Sequence, residues 1–190
     1  MKTAAVLLAL GLLSAGACLP SHADPAAASP SMQHIAALRK AGRIPELVAE
    51  MAKDGLRVAP DGIQMFYNEY AERQWDAGHF AAAVKAYRDG IKAAPRGAIA
   101  GTMQYSLAGL FYNKARYAEA IPEFRAATRF ADYNTAWVWL LLGTSLLKTG
   151  QTAAARQAWE QASVSNDPWH TSSRQAARQE IKHLDTRSTL

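Results

Sequence analysis

Cysteine is all but missing: the 190 residues hold one, Cys18. A single thiol excludes a disulfide framework and a cysteine-ligated zinc site within the chain. Proline (8) and glycine (12) are also scarce, which excludes collagen-like and low-complexity classes. Charged residues are only 19% against 49% hydrophobic, so the chain can bury a core and is not of disordered composition. No dinucleotide fingerprint, Walker loop, H-E-x-x-H, G-x-S-x-G or EF-hand loop is present. What the chain does have is alanine, 40 residues of it. Alanine is the best helix former and a poor strand former, so the composition leans all-α. The length suits one ordinary domain or a short array of repeats.

The N-terminus reads as an address. Met1-Lys2 precedes an apolar run from Ala4 to Leu13, and Ser21-His22-Ala23 offers small residues at the two positions a signal peptidase needs. From Thr3 to Leu19 the uncharged stretch is 17 residues, broken by Gly11, Ser14 and Gly16. A comfortable membrane span needs roughly 20 predominantly apolar residues. Residues 1–23 are therefore read as a signal peptide cleaved after Ala23, which removes the only cysteine and suits an oxidising periplasm. The alternative rests on Ala15-Gly16-Ala17-Cys18, which resembles a bacterial lipoprotein box with Ala15 where leucine is usual. In that case Cys18 carries a lipid and the protein is membrane-anchored. Residues 24–31, Asp-Pro-Ala-Ala-Ala-Ser-Pro-Ser, read as a flexible linker, and 32–190 as the folded domain.

Within 32–190 the apolar residues follow helical spacing, broken at regular polar intervals. Phe80, Tyr117 and Thr152 each follow such a break, 37 and 35 residues apart. Three residues after each comes a small one (Ala83, Ala120, Ala155), and seven after comes an aromatic (Tyr87, Phe124, Trp159). Phe80, Val84, Tyr87 and Ile91 share one helix face, and the alanines let paired helices approach closely. A period near 34 points to stacked helical hairpins.

This pattern resembles the tetratricopeptide repeat, a helix–turn–helix unit with W-x2-L-G-x2-Y, then A-x3-F, then P. Trp139-Leu140-Leu141-Leu142-Gly143, then Ala155 and Trp159, form the best unit, with Leu146 where tyrosine is usual. The unit before it keeps Leu107-Ala108, Phe111, Ala120, Phe124 and Ala127. The one before that keeps Ala71, Gly78, Ala83, Tyr87 and Pro95, with Tyr67 and Tyr70 standing in for tryptophan and leucine. Ala41 to Leu47, then Met51, repeats the spacing weakly as a degenerate N-terminal unit. The resemblance covers about Gln33 to Ser165. It implies an all-α, right-handed solenoid of about three repeats, the degenerate unit, and a C-terminal capping helix. Ser172 to Leu184 is the expected cap, with Ser172 and Gln175 as a capping box. Pro122, about five residues into its helix, predicts a kink or a late helix start.

Chemistry is sparse. His34, His79, His170 and His183 show no metal-ligand spacing, and Glu69/Glu72 and Glu119/Glu123 read as solvated helix faces rather than acid–base pairs. No catalytic residue, metal or cofactor is expected. From Lys85 to Arg129 there are eight basic residues against Asp89, Glu119 and Glu123, a stripe that reads as a solvated face. Export argues against nucleic acid as a partner, and a membrane enters only if Cys18 is lipidated.

The resemblance implies that the first helix of each pair lines a concave groove for a partner segment. Its register selects Asn68, Glu72 and Trp75, then Tyr105, Gly109 and Tyr112, then Trp137, Leu140, Thr144 and Leu147. The aromatics among them are of the kind that anchors interfaces. The expectation is a non-catalytic interaction module of the bacterial cell envelope, periplasmic or secreted, holding a segment of another protein. The alternative is a lipid-anchored assembly factor for a pilus, secretion or outer-membrane complex.

Overall fold

The computed structural model describes residues 30–187. The expected signal peptide, Cys18 and most of the expected linker lie outside the described residues. Nine α-helices follow one another among the described residues: α1 (Pro30–Ala41), α2 (Ile44–Lys53), α3 (Pro60–Asp76), α4 (Phe80–Ala93), α5 (Ala100–Asn113), α6 (Tyr117–Ala127), α7 (Ala136–Lys148), α8 (Thr152–Val164) and α9 (Thr171–Arg187). A short 3-10 turn, Ala131–Tyr133, sits between α6 and α7, and no strand occurs among the described residues. Helices pair in order, α1 with α2 through α7 with α8, each pair packs on the next, and α9 lies against α7 and α8. The chain is an all-α stack of helical hairpins.

Each hairpin turns in the same way. Just past the end of each first helix comes a residue with left-handed backbone, at Gly42 (φ 71°), Gly78 (φ 78°), Ala115 (φ 55°) and Gly150 (φ 79°). The next residue's N–H returns to a carbonyl five residues back: Arg43 to Leu38, His79 to Gln74, Arg116 to Phe111, Gln151 to Leu146, at 2.8–3.0 Å. That pair of features is the Schellman closure, which satisfies helix-end carbonyls. The second helix then starts two residues after the left-handed one, so Phe80, Tyr117 and Thr152 are each the first residue of a second helix.

Packing follows the small-and-aromatic pattern. Ala83, Ala120 and Ala155 are fully buried, as are Phe124 and Trp159, and Tyr87 nearly so. Burying a ring the size of Phe124 contributes about 1.5–3 kcal/mol. The close approach needs glycine at one point: a Cβ on Gly143 would lie 2.4 Å from the Trp159 ring, whose indole N–H donates to the Leu140 carbonyl at 3.2 Å. The main core runs from Ala71 to Ala177, and a smaller one of Leu38, Ile44 and Leu47 fills the first hairpin. Gln64, fully buried, ties α3 to the end of α4 by donating to the Ala94 carbonyl at 2.8 Å.

Three details differ from the sequence reading. The first helix begins at Pro30, two residues inside the stretch read as linker; proline's fixed φ is pre-organised for a first helical position. The α6 helix starts at Tyr117 with Pro122 inside it, so there is no late start. The carbonyl left without its N–H belongs to Ala118, an exposed residue of the first turn. The α9 helix starts at Thr171, so Ser172 is already helical and does not form the expected capping box. Its buried face is Ser173 and Ala177, with Ile181 and Leu184 against the core.

Candidate functional site

The groove residues fall on the first helices of three successive hairpins. On α3 the stripe is Asn68, Glu72 and Trp75; on α5 it is Tyr105, Gly109 and Tyr112; on α7 it is Trp137, Leu140, Thr144 and Leu147. Spacings of three and four place each set on one helix face. Charge is sorted between helices. The α5 sequence carries no charged residue and α7 only Lys148, whereas the basic residues Lys85, Arg88, Lys92, Arg116, Arg125 and Arg129 lie on second helices or turns.

The structure joins some of these side chains and leaves others apart. The Trp137 indole N–H donates to the Tyr105 hydroxyl at 2.8 Å, linking α7 to α5 across 32 residues. Tyr105 stacks on Tyr133 at 5.4 Å between centroids, and the Tyr133 hydroxyl donates to Thr102 at 3.0 Å. Tyr105 and Tyr112 both lean on the buried Phe124, at 6.4 and 6.1 Å, and Tyr112 meets Tyr117 edge-on at 5.4 Å. Burial, with Tyr117's phenol adding to it, raises the Tyr112 phenol above its ordinary value, so it stays neutral at physiological pH. Trp75 meets Phe80 edge-on and carries the Lys114 ammonium over its face at 5.6 Å. Asn68 donates to Glu72 at 2.9 Å, and Thr144 donates to the Leu140 carbonyl at 3.0 Å. No direct bond joins the α3 members to the α7 members among the described residues.

Burial separates the aromatics by duty. Trp75, Tyr105, Tyr112, Leu140 and Leu147 are half-buried and pack against the core, so each supports the fold as well as facing outward. Trp137 is 38% exposed, and its indole is tied to the Tyr105 hydroxyl. Trp139, two residues on, takes the packing position and donates to Asn134 at 2.7 Å.

Sequence reasoning missed Met65 and Tyr133. Met65 is 48% exposed three residues before Asn68, so carrying the α3 stripe back one step reaches it. Tyr133 lies in the 3-10 turn, where no helical period applies, and only the tertiary stack brings it to Tyr105. Beyond Leu147 the surface continues into an open cleft of about 380 Å³ lined by Leu147, Glu180, His183, Leu184 and Thr186. Val164 and Trp169 are also strongly exposed at the far end of the stack.

The remaining titratable residues are mostly engaged in the fold. Glu69 accepts from Arg39 at 2.9 Å and Arg73 at 3.2 Å, tying α1 to α3, and Glu119 pairs with Arg116. In the basic stripe, Lys85 pairs with Asp89, Arg88 lies over Phe111, and Arg116 lies over Phe80 and Phe111. His79 contacts Gln74 and His170 contacts Asp167. Among the described residues no three His, Cys, Asp or Glu side chains are placed to share a metal ion. No helix among them is long and apolar enough to cross a membrane.

Residues 71–135 match the tetratricopeptide repeat family. The N-terminal domain of stress-induced protein-1 from C. elegans superposes with a TM-score of 0.56 at 16% identity, over 67% of this chain and 98% of that one. A fragment of MamA, residue 41 to the end, from Desulfovibrio magneticus RS-1 superposes with a TM-score of 0.53 at 16% identity, over 84% of each chain. At such identity the likeness is one of fold. No curated protein matches the sequence. The fold is that of a helical-hairpin repeat protein. Residues 71–135, which span α4, α5 and α6, are the part of this stack that matches the tetratricopeptide repeat.

Proposed function

We propose that this protein is a non-catalytic docking module of the bacterial cell envelope, exported by residues 1–23, whose first-helix stripe holds a segment of another protein. The carrying observation is Trp137: a large apolar side chain, more exposed than the other aromatics of the stripe, and oriented by its bond to Tyr105. An exposed and pre-positioned tryptophan is what an interface anchor requires, because little side-chain entropy is left to lose on binding. The charge-free α5 and the nearly charge-free α7 support the same reading, since charged residues are depleted at interface centres.

Crosslinking pull-down from the cells that make the protein tests it. Trp137→Ala is expected to lose the partner while circular dichroism shows the fold intact. The Lys85, Arg88 and Lys92 triple change to Ala is expected to keep it. The reverse pattern makes the basic stripe the binding surface and sinks the groove reading. Intact mass of the exported protein tests the address: a chain beginning at Asp24 supports a free periplasmic or secreted protein. A lipid-modified chain beginning at Cys18 replaces it with the anchored assembly factor.

A further inference from the structure

Glycine inside a helix needs a reason, because only proline is less favoured there. Most helix-interior glycines here have one. A Cβ at Gly90 would lie 2.4 Å from Met103, at Gly101 2.8 Å from Phe130, at Gly143 2.4 Å from Trp159, and at Gly62 2.9 Å from Val58. Gly109, in the middle of α5, has none. Its backbone is not left-handed, and a Cβ there would meet nothing within 4 Å. It is also the one stripe position flanked on its own helix face by two tyrosines, Tyr105 four residues before and Tyr112 three after. Both rings are steadied from behind by Phe124.

A second feature lies at the α3 end of the stripe. Glu72 and Asp76 are four apart on one helix face, both exposed, and neither has an ion pair among the described residues. Glu72 is itself a stripe residue, on the first helix of the hairpin before the one that holds Gly109. The stripe thus carries an open glycine position on α5 and, on α3, exposed carboxylates without an ion pair.

Resting on the groove reading above, we propose that Gly109 opens a notch between Tyr105 and Tyr112 that admits one apolar side chain of the bound segment, while Glu72 and Asp76 receive a lysine or arginine of the same segment. The occupant is an extended or helical stretch of another polypeptide with an aliphatic or aromatic anchor and a nearby base. An anchor without the base forgoes the charge pairing, and an acidic segment is repelled.

The test uses the purified full chain and a phage-displayed library of random dodecapeptides. Enriched peptides are expected to share a Leu, Ile, Met or Phe with a Lys or Arg close by. One such peptide, fluorescein-labelled, is then titrated by anisotropy. Gly109→Leu fills the notch and is expected to weaken binding by at least about tenfold, as loss of an interface anchor does. Replacing the peptide's apolar anchor by Ala should cost a similar factor on the wild type and almost nothing further on Gly109→Leu. Gly109→Ala is expected to raise the melting temperature by about 2–4 °C, since the helix gains and no neighbour is met. Glu72→Gln with Asp76→Asn should weaken binding about 2- to 5-fold and flatten its salt dependence. Should Gly109→Leu lose its fold, Gly109→Met serves in its place. Unchanged affinity in the Gly109 variant, alongside weakening by Trp137→Ala, overturns the notch and leaves the groove standing. Unchanged affinity in both, or a library that enriches nothing, overturns both. Enrichment of acidic peptides overturns the charge assignment and with it the proposal.

Discussion

Three of the four hairpin turns place glycine at the left-handed position, and the fourth places Ala115 there, at φ 55°. A left-handed backbone costs an L-residue roughly 1–2 kcal/mol, and glycine nothing. Ala115→Gly is therefore expected to stabilise the chain by about 0.5–1 kcal/mol, after the extra freedom it gives the unfolded chain; a thermal melt checks it. Glu123 carries a second strain at this scale. Burial raises its carboxyl above the ordinary value, with Arg88 opposing. The folded state therefore holds the proton more tightly than the unfolded one, so stability is fullest below the ordinary carboxylate range and falls as pH rises through the folded pKa. Glu123→Gln removes that loss. The variant should melt at a higher temperature than the wild type at pH 7, and the gap should close as the pH is lowered to about 4. A gap that widens toward acid contradicts the assignment. Neither the left-handed alanine nor the half-buried carboxylate is legible in the sequence: at Lys114-Ala115-Arg116 the glycine that marks the other turns is missing, and Glu123 reads as a helix-surface acid until tertiary packing covers it.

At the scale of helices the sequence was far more legible. The residues chosen for their spacing, Phe80, Tyr117 and Thr152, prove to be the first residues of α4, α6 and α8. The small-then-aromatic rule works because one short side chain sets how near the two helices come and one ring fills the seam. Ala155 has no exposure at all, so Ala155→Phe is expected to overpack the α7–α8 hairpin at a cost of about 1–3 kcal/mol. The exposed Gln157→Ala should change stability by less than about 0.5 kcal/mol. Equal melting temperatures for the two would mean the hairpin register is not as described. Ends of helices were less legible. At α9, the His170 carbonyl accepts from the Arg174 N–H at 3.1 Å, so the helix starts two residues earlier than a Ser172 cap would allow. The stripe's members could be chosen by register, but their linkage could not. The Tyr105–Trp137 bond and the Tyr105–Tyr133 stack form only once two hairpins have stacked, and no local pattern encodes them.

A stack of hairpins is close to one-dimensional, because each pair touches only its neighbours and the ends need separate closure. The N-terminal hairpin has its own small core, and Tyr67 packs against both that core and the main one. Gly42 accepts the Tyr70 ring so closely that a Cβ would lie 2.3 Å from it, a second tie between the first turn and α3. At the other end α9 closes the stack through Ala177, fully buried, with Ile181 and Leu184 beside it. Damage at that seal should accordingly stay local. Ala177→Arg forces a charge into the seam between α9 and the last hairpin, and an unpaired buried charge is strongly destabilising. Amide hydrogen exchange is the suitable measure, since it reports opening segment by segment. Protection is expected to fall sharply in α9, less in α7 and α8, and little in α3 and α4, which share no contact with the substituted residue. A uniform loss from α3 to α9 would show that the main core opens as one unit. In that event an anchor bound at Trp137 would stabilise the whole array rather than only the hairpins that hold it.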